Sequence, residues 1–185
     1  MKHAAIPLAL MAAALAAPGA QAQVIMGSSQ AEACYHAVEA GDRGRAATLR
    51  RCEAGLEDMR LTPRDRAATH NNLGILLHRA GRSDEALVQF DRALRLDADK
   101  PAFWHNRGVA MMGLEDFTGA AEHFTRALDL GFDRPSHAYF NRALSREQAG
   151  DLAGAYDDLQ AALDANPGFA LARQELTRFV VEPSG

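Results

Sequence analysis

Residues 138–167 read AYFNRALSREQAGDLAGAYDDLQAALDANP, and the small residues of this stretch keep a spacing that recurs upstream. Phe140-Asn141-Arg142-Ala143 aligns with Asn71-Asn72-Leu73-Gly74 and with His105-Asn106-Arg107-Gly108. Gly74 and Gly108 lie 34 residues apart, and Gly108 and Ala143 lie 35 apart. Twelve residues beyond each comes a second small residue (Ala86, Ala120, Ala155), and seven further a third (Ala93, Ala127, Ala162). Bulky apolar residues sit between them at Phe90, Phe124 and Leu159. The turn Ala80-Gly81-Arg82 matches Ala149-Gly150-Asp151, and Asp99-Lys100-Pro101 matches Asp133-Arg134-Pro135.

This period is that of a helical hairpin. Small residues let two antiparallel helices approach closely, and the bulky residue fills the gap toward the next hairpin. One such hairpin cannot bury its apolar face, so several must stack. The 38 Ala residues of the chain favour helix, because Ala loses no side-chain entropy there. The small-residue signature, the Ala-x3-Phe spacing and the loop Pro167 together resemble the tetratricopeptide repeat family over about residues 67–169. The resemblance implies an all-α, right-handed solenoid of antiparallel helix hairpins. Its units are expected at about 64–98, 100–132 and 135–166, after a degenerate first hairpin at about 30–57 and before a capping helix at about 168–181. The repeat domain then spans 30–182, with a tail at 183–185 and a flexible segment at 23–29. The family's Trp-like position is held by His70, Trp104 and Tyr139.

Start and stop signals agree. Thr62-Pro63-Arg64-Asp65 offers a Thr cap, Pro in the first turn and an acid three residues after the cap. Asp99 and Asp133 are expected to serve the same way ahead of Pro101 and Pro135. Asn166-Pro167-Gly168 ends a helix, since Pro cannot continue one. Beyond it, Leu171, Leu176, Phe179 and Val180 give the capping helix one apolar side.

Residues 1–22, MKHAAIPLALMAAALAAPGAQA, read as a signal peptide: Lys2, an apolar run from Ala4 to Ala17, Pro18-Gly19 as breaker, then Ala20-Gln21-Ala22. Cleavage is expected between Ala22 and Gln23, with the bacterial periplasm or secretion as destination. The 14-residue apolar run is shorter than the roughly 20 residues that span a bilayer. Retention as an anchor is the competing reading.

Setting Gly41-Asp42 on the turn position places Cys34 and Cys52 on facing sides of the first hairpin. Outside the cytosol such a pair is expected to form a disulfide, closing an 18-residue separation worth roughly 3 kcal/mol. A redox-active pair and intermolecular thiols are the rival readings.

With 20 basic against 24 acidic residues, the chain carries a net charge of −4. That excludes a generic nucleic-acid binder, which needs a basic surface. No nucleophile elbow, phosphate-cradling Gly loop or His-Glu-x2-His is present, so the chain is read as no enzyme. The histidines lack metal-ligand spacing, and no metal or cofactor is expected.

By resemblance, the first helix of each hairpin lines an inner groove. The matching positions are Asn71, Asn72, Ile75, His78 and Arg79, then His105, Asn106, Val109 and Met112, then His137, Phe140, Asn141, Leu144 and Glu147. Asn72, Asn106 and Asn141 share one slot. Because an amide both donates and accepts, this ladder either holds a peptide backbone or bonds the adjacent repeat. Arg79 is the only cation among these positions other than the histidines, so a clamp for a peptide's terminal carboxylate is unsupported. His78 and His105 are expected to add positive charge below neutrality. The expected role is a non-catalytic scaffold or adaptor docking a protein or peptide partner in the cell envelope. The alternatives are a self-associating structural protein and, less favoured, a redox or metal-binding one.

Overall fold

The computed structural model describes residues 3–5, 21 and 29–181. Most of the expected signal peptide, and most of the segment 23–29 expected to be flexible, therefore lie outside the described residues. Among the described residues, nine helices follow one another in pairs. The first pair is α1 (Ser29–Glu39) and α2 (Ala46–Leu56), the second α3 (Pro63–Arg79) and α4 (Ser83–Leu96). Then come α5 (Pro101–Met112) with α6 (Phe117–Asp129), α7 (Pro135–Gln148) with α8 (Leu152–Ala165), and the solitary α9 (Ala170–Leu176). Each helix packs on its hairpin partner, and each second helix packs on the first helix of the next hairpin. The first helices also touch in series, α1 to α3, α3 to α5 and α5 to α7, which makes them one wall of an α-solenoid. No described helix is long and apolar enough to cross a membrane.

The small residues act where the period places them. A Cβ added to Gly74 would lie 2.7 Å from the Phe90 ring, and one added to Gly108 would lie 2.9 Å from the Phe124 ring. Both rings are fully enclosed. Each bulky residue thus fills a notch in its own hairpin as well as facing the next, where Ala110 joins Phe90 in one core. All four hairpins close their first helix alike. In the second, the Gly81 N–H donates to the His78 carbonyl and the Arg82 N–H to the Leu77 carbonyl (2.9 Å each). The left-handed residue of this motif is Gly41, Gly81, Glu115 or Gly150 in turn, and Glu115 (φ 62°) bears the steric cost that the glycines avoid.

Thr62 caps α3 as its sequence indicates, its Oγ1 accepting the Asp65 N–H at 3.1 Å. Asp99 and Asp133 do not cap. The residues before Pro101 and Pro135 are Lys100 and Arg134, which occupy the cap positions without a side-chain capping bond to the helix start. The two acids stand one residue too early. Asp116 and Asp151 cap α6 and α8 instead, accepting the N–H groups of Gly119 (3.0 Å) and Gly154 (2.9 Å).

The C-terminal end differs from the expected single helix over 168–181. α9 stops at Leu176, and Phe179–Val181 forms strand β2, paired antiparallel with β1 (His3–Ala5). The Val180-Val181 pair favours extended backbone, and β1 supplies the ladder partner. Phe169, Ala172 and Phe179 bury against Phe140, Leu144 and Leu159, whereas Leu171 is exposed. Arg178 closes this end by pairing with Glu147 and Glu175.

Two further links hold the stack. Cys34 and Cys52 are bonded (Cα–Cα 5.0 Å) within the core that contains Leu73, Leu76 and Phe90. In the last hairpin, Arg142 makes a two-pronged pair with Asp158, Nη2 to Oδ1 at 2.7 Å and Nε to Oδ2 at 2.9 Å. Arg146 Nη1 adds a 2.8 Å contact to Asp158 Oδ2, and Arg142 Nη1 reaches Thr125 Oγ1 of α6 at 2.9 Å. With Asp158 only 3 % exposed, this is a buried three-member cluster rather than a surface pair.

Asp158→Ala should cost about 3 kcal/mol in urea unfolding, because the half-buried Arg142 and Arg146 lose the buried carboxylate that pairs with both. Asp91→Ala breaks the Arg107 pair (2.8 Å), but Asp91 is partly open to solvent, so it should cost less than ~1 kcal/mol. Reducing Cys34–Cys52 should lower stability by about 3 kcal/mol, a fall of roughly 6–12 °C in Tm, read by thermal melts with and without reductant.

Candidate peptide-binding groove

Helices α3, α5 and α7 repeat one pair of slots on the inner wall: Asn71-Asn72, His105-Asn106 and Phe140-Asn141. A side chain three or four residues along a helix shares its face, so the same slots of successive hairpins line up. Asn106 Nδ2 donates to Asn71 Oδ1 at 2.8 Å, joining α5 to α3. Asn141 Nδ2 lies 3.2 Å from His105 Nε2, joining α7 to α5. Asn71 Nδ2 also donates to Asn72 Oδ1 at 3.4 Å. These five side chains form a buried polar seam running across three hairpins.

The seam holds a main chain. Asn106 Oδ1 accepts the Gln21 N–H at 3.3 Å, and Asn106 Nδ2 donates to the Gln21 carbonyl at 3.3 Å. Asn71 Nδ2 donates to the same carbonyl at 3.1 Å. One residue thus has both its backbone groups satisfied by two amides of the inner wall. Its side chain is held separately, Gln21 Nε2 donating to Asp133 Oδ1 at 2.6 Å in the loop ahead of α7. The amide ladder does both things open to it, since Asn106 bonds the neighbouring repeat and the backbone at once.

Of the other groove positions, several are engaged elsewhere. Arg79 Nη1 donates to the carbonyls of Val38 (2.9 Å) and Asp42 (3.4 Å), tying α3 to the first hairpin. His78 Nδ1 meets Ser83 Oγ at 2.9 Å, inside its own hairpin. Phe140 stands edge-on to Phe169 at 5.3 Å and belongs to the core under α9. Met112 is half-buried and bridges that core and the one around Phe124. Asp133 and Gln21 are the two residues that sequence reading missed. The first was read as a helix cap, and the second lies in the segment read as a signal peptide.

The wall carries little positive charge. Burial holds His105 neutral, its pKa pushed down to about 3, with the nearby Arg134 acting the same way. Its ring stacks on Phe132 at 4.4 Å. Burial also lowers His78, seconded by Arg79, and His137, seconded by Arg134. The gain of charge just below neutrality expected of His78 and His105 is therefore opposed at both, and His137 behaves likewise. Among the described residues no group of three or more His, Cys, Asp or Glu side chains is placed to hold a metal.

A stack of helix hairpins with an amide-lined inner wall defines a helical repeat protein of the solenoid class. The model of the tetratricopeptide repeat family matches residues 67–100, so the chain contains a repeat of that kind. It is 31 % identical over 137 residues to Protein FlbA of Caulobacter vibrioides, an alignment covering 72 % of this chain and 23 % of that protein. The chain thus spans about a quarter of the length of that curated relative. Among solved structures, the second TPR domain of human RPAP3, in complex with an HSP70 peptide, is 24 % identical and superposes with a TM-score of 0.59. That match covers 63 % of this chain and 96 % of the domain. A tetratricopeptide repeat protein of Parabacteroides merdae is 23 % identical, with a TM-score of 0.66 over 79 % of this chain and 56 % of its own. At these identities the two structures establish the fold.

The neutral state of His105 predicts a pH dependence. The unfolded residue takes its proton near 6.5 and the folded one near 3, so between these values the unfolded chain binds the extra proton. Stability therefore falls as pH drops through that window and is untouched by this group above it. The other histidines with lowered pKa act in the same direction, so the variant comparison isolates His105. Between about pH 7 and about pH 4.5, the wild type should lose roughly 2 kcal/mol more in urea unfolding than His105→Gln does.

Proposed function

We infer that the chain is a non-catalytic scaffold that captures an extended segment of a partner protein in its inner groove, outside the cytosol. The carrying observation is the grip on the main chain of Gln21, whose N–H and carbonyl are both bound by Asn106 while Asn71 adds a second donor. Main-chain atoms are common to every peptide, so this grip fixes an extended strand without reading its sequence. Selectivity then rests on neighbouring groups such as Asp133, which accepts a donor side chain.

The chemistry sets the class of partner. The inner wall offers amides, neutral imidazole and an acceptor carboxylate, while Arg79 is committed to the first hairpin. A segment with backbone free to pair and an amide or cationic side chain suits it better than a terminal carboxylate does. The HSP70 peptide in the human RPAP3 complex, SGPTIEEVD, carries three acidic residues among its last four. This groove is proposed to take a different ligand. Export rests on the signal-peptide pattern of residues 1–22 and accords with the Cys34–Cys52 bond, since disulfides persist in oxidising compartments.

Cell fractionation with N-terminal sequencing should find the chain outside the cytosol and beginning at Gln23; an intact Met1 terminus in the cytosolic fraction would overturn the export reading. Affinity capture from an envelope extract, quantified by mass spectrometry, tests the groove. Asn106→Ala should weaken capture of the partner by about fivefold, the net of roughly 1 kcal/mol for lost neutral hydrogen bonds. It should keep its helical circular dichroism while losing a similar amount of stability, because Asn71 Oδ1 is left without its donor. Unchanged capture would move the binding surface off the inner wall.

A further inference from the structure

Among the described residues, one buried atom of the polar seam has no hydrogen-bond partner: His105 Nδ1. The ring's other nitrogen decides what that atom is. Asn141 Nδ2 can only donate, so His105 Nε2 accepts in their 3.2 Å contact. Burial keeps the imidazole neutral, and its single hydrogen therefore sits on Nδ1. His105 thus carries a fully enclosed N–H donor that nothing meets. Burying a donor without an acceptor costs free energy, and an acceptor that reaches it removes the cost.

The donor is part of the groove by position. His105 precedes Asn106 on α5. Its ring stacks on Phe132 at 4.4 Å and lies 5.4 Å from Phe124, so packing holds its orientation. The Asn106 carboxamide stands beside it without a hydrogen bond to Nδ1, its Oδ1 taking the Gln21 N–H at 3.3 Å. Gln21 therefore meets the amides of Asn71 and Asn106 and leaves His105 unmet. An occupant that completes the seam brings one acceptor more. We propose that His105 is a specificity-determining residue of the groove, and that its Nδ1–H takes an uncharged carbonyl oxygen of the captured segment.

The proposal rests on the groove reading above and names what the segment must offer. A lysine or arginine would set donor against donor. A carboxylate would draw a second proton to the ring, and that proton would have to sit on Nε2, facing the Asn141 N–H. The nearby Arg134 opposes it too. What remains is a neutral oxygen, supplied either by the main chain or by an asparagine or glutamine side chain.

The test uses the full chain with 15N-labelled histidine and three end-blocked pentapeptides, penta-alanine, penta-glutamine and penta-glutamate, which compete with Gln21 for the groove. Ring spectra of the wild type should show Nδ1 protonated and Nε2 bare, and bound peptide should move the Nδ1–H resonance downfield. A shift with penta-alanine assigns the acceptor to the main chain, and a shift with penta-glutamine alone assigns it to a carboxamide. His105→Gln keeps an acceptor for Asn141 but lacks the Nδ1 donor, and should bind the responding peptide about fivefold more weakly by calorimetry. His105→Asn can place its amide where Nδ1 stood and should bind within about twofold of wild type. The wild-type ring spectra decide the matter even where a variant does not fold. The opposite tautomer, an Nδ1–H resonance unmoved by bound peptide, or tightest binding of penta-glutamate would overturn the role of His105. Binding still weakened by Asn106→Ala would then leave the groove reading standing. Binding of no peptide, or binding that Asn106→Ala leaves unchanged, would overturn both.

Discussion

The close approach of two helices at Gly74 and Gly108 is the constraint on which the rest depends. Where an added Cβ would fall within 3 Å of a phenylalanine ring, the ring fixes both the distance between the helices and their rotation. Repeating that contact along the chain sets the same geometry in successive hairpins. The first helices then fall into one wall, and equivalent residues of successive repeats face the same way. The seam of Asn71, Asn72, His105, Asn106 and Asn141 is a product of this regularity. Its members are brought together by the repeat period, and no local segment would assemble them.

The seam shows how such a wall can be both structural and receptive. Burying an amide costs free energy unless its donors and acceptor are met, and neighbouring repeats meet only part of the demand. The Nδ2 group of Asn106 bonds Asn71, while its Oδ1 is met by the N–H of Gln21. The wall is thus left accepting from a backbone N–H and donating to a backbone carbonyl, as it does with Gln21. His105 contributes by staying neutral. A charged imidazole there would be an unpaired buried cation, and the same burial that excludes it gives Asn141 an uncharged nitrogen partner.

Much of this was legible in the sequence, and what was not has physical reasons. The period, the hairpin turns, the Thr62 cap and the facing of Cys34 with Cys52 follow from spacing alone. The Asp99 and Asp133 caps failed because a cap must stand immediately before the first helical residue, and Lys100 and Arg134 hold that place. The burial of the Arg142–Asp158 pair left no mark in the local sequence pattern. That depended on Thr125 and Arg146 arriving from different helices. The strand at Phe179–Val181 needed a partner 174 or more residues away, beyond the reach of any local pattern. Arg79 matched a groove slot, yet the first hairpin claimed it through the Val38 carbonyl.

Because the same atoms join the repeats and hold the captured backbone, stability and recognition are linked in this chain. A segment bound at Asn106 and Asn71 bridges α3 and α5 through one peptide unit, and through Asp133 it touches the start of α7. Binding therefore ties three hairpins whose described helices otherwise pack chiefly on their neighbours. In a solenoid, stability is a sum of repeat and nearest-neighbour terms, so a ligand spanning several repeats adds a coupling that the bare stack lacks. The ends are secured by other means, a covalent bond in the first hairpin and the Phe169–Phe179 core with its Arg178 pairs at the last. That leaves the middle of the stack, where the amides are, as the region whose order a bound segment most readily changes.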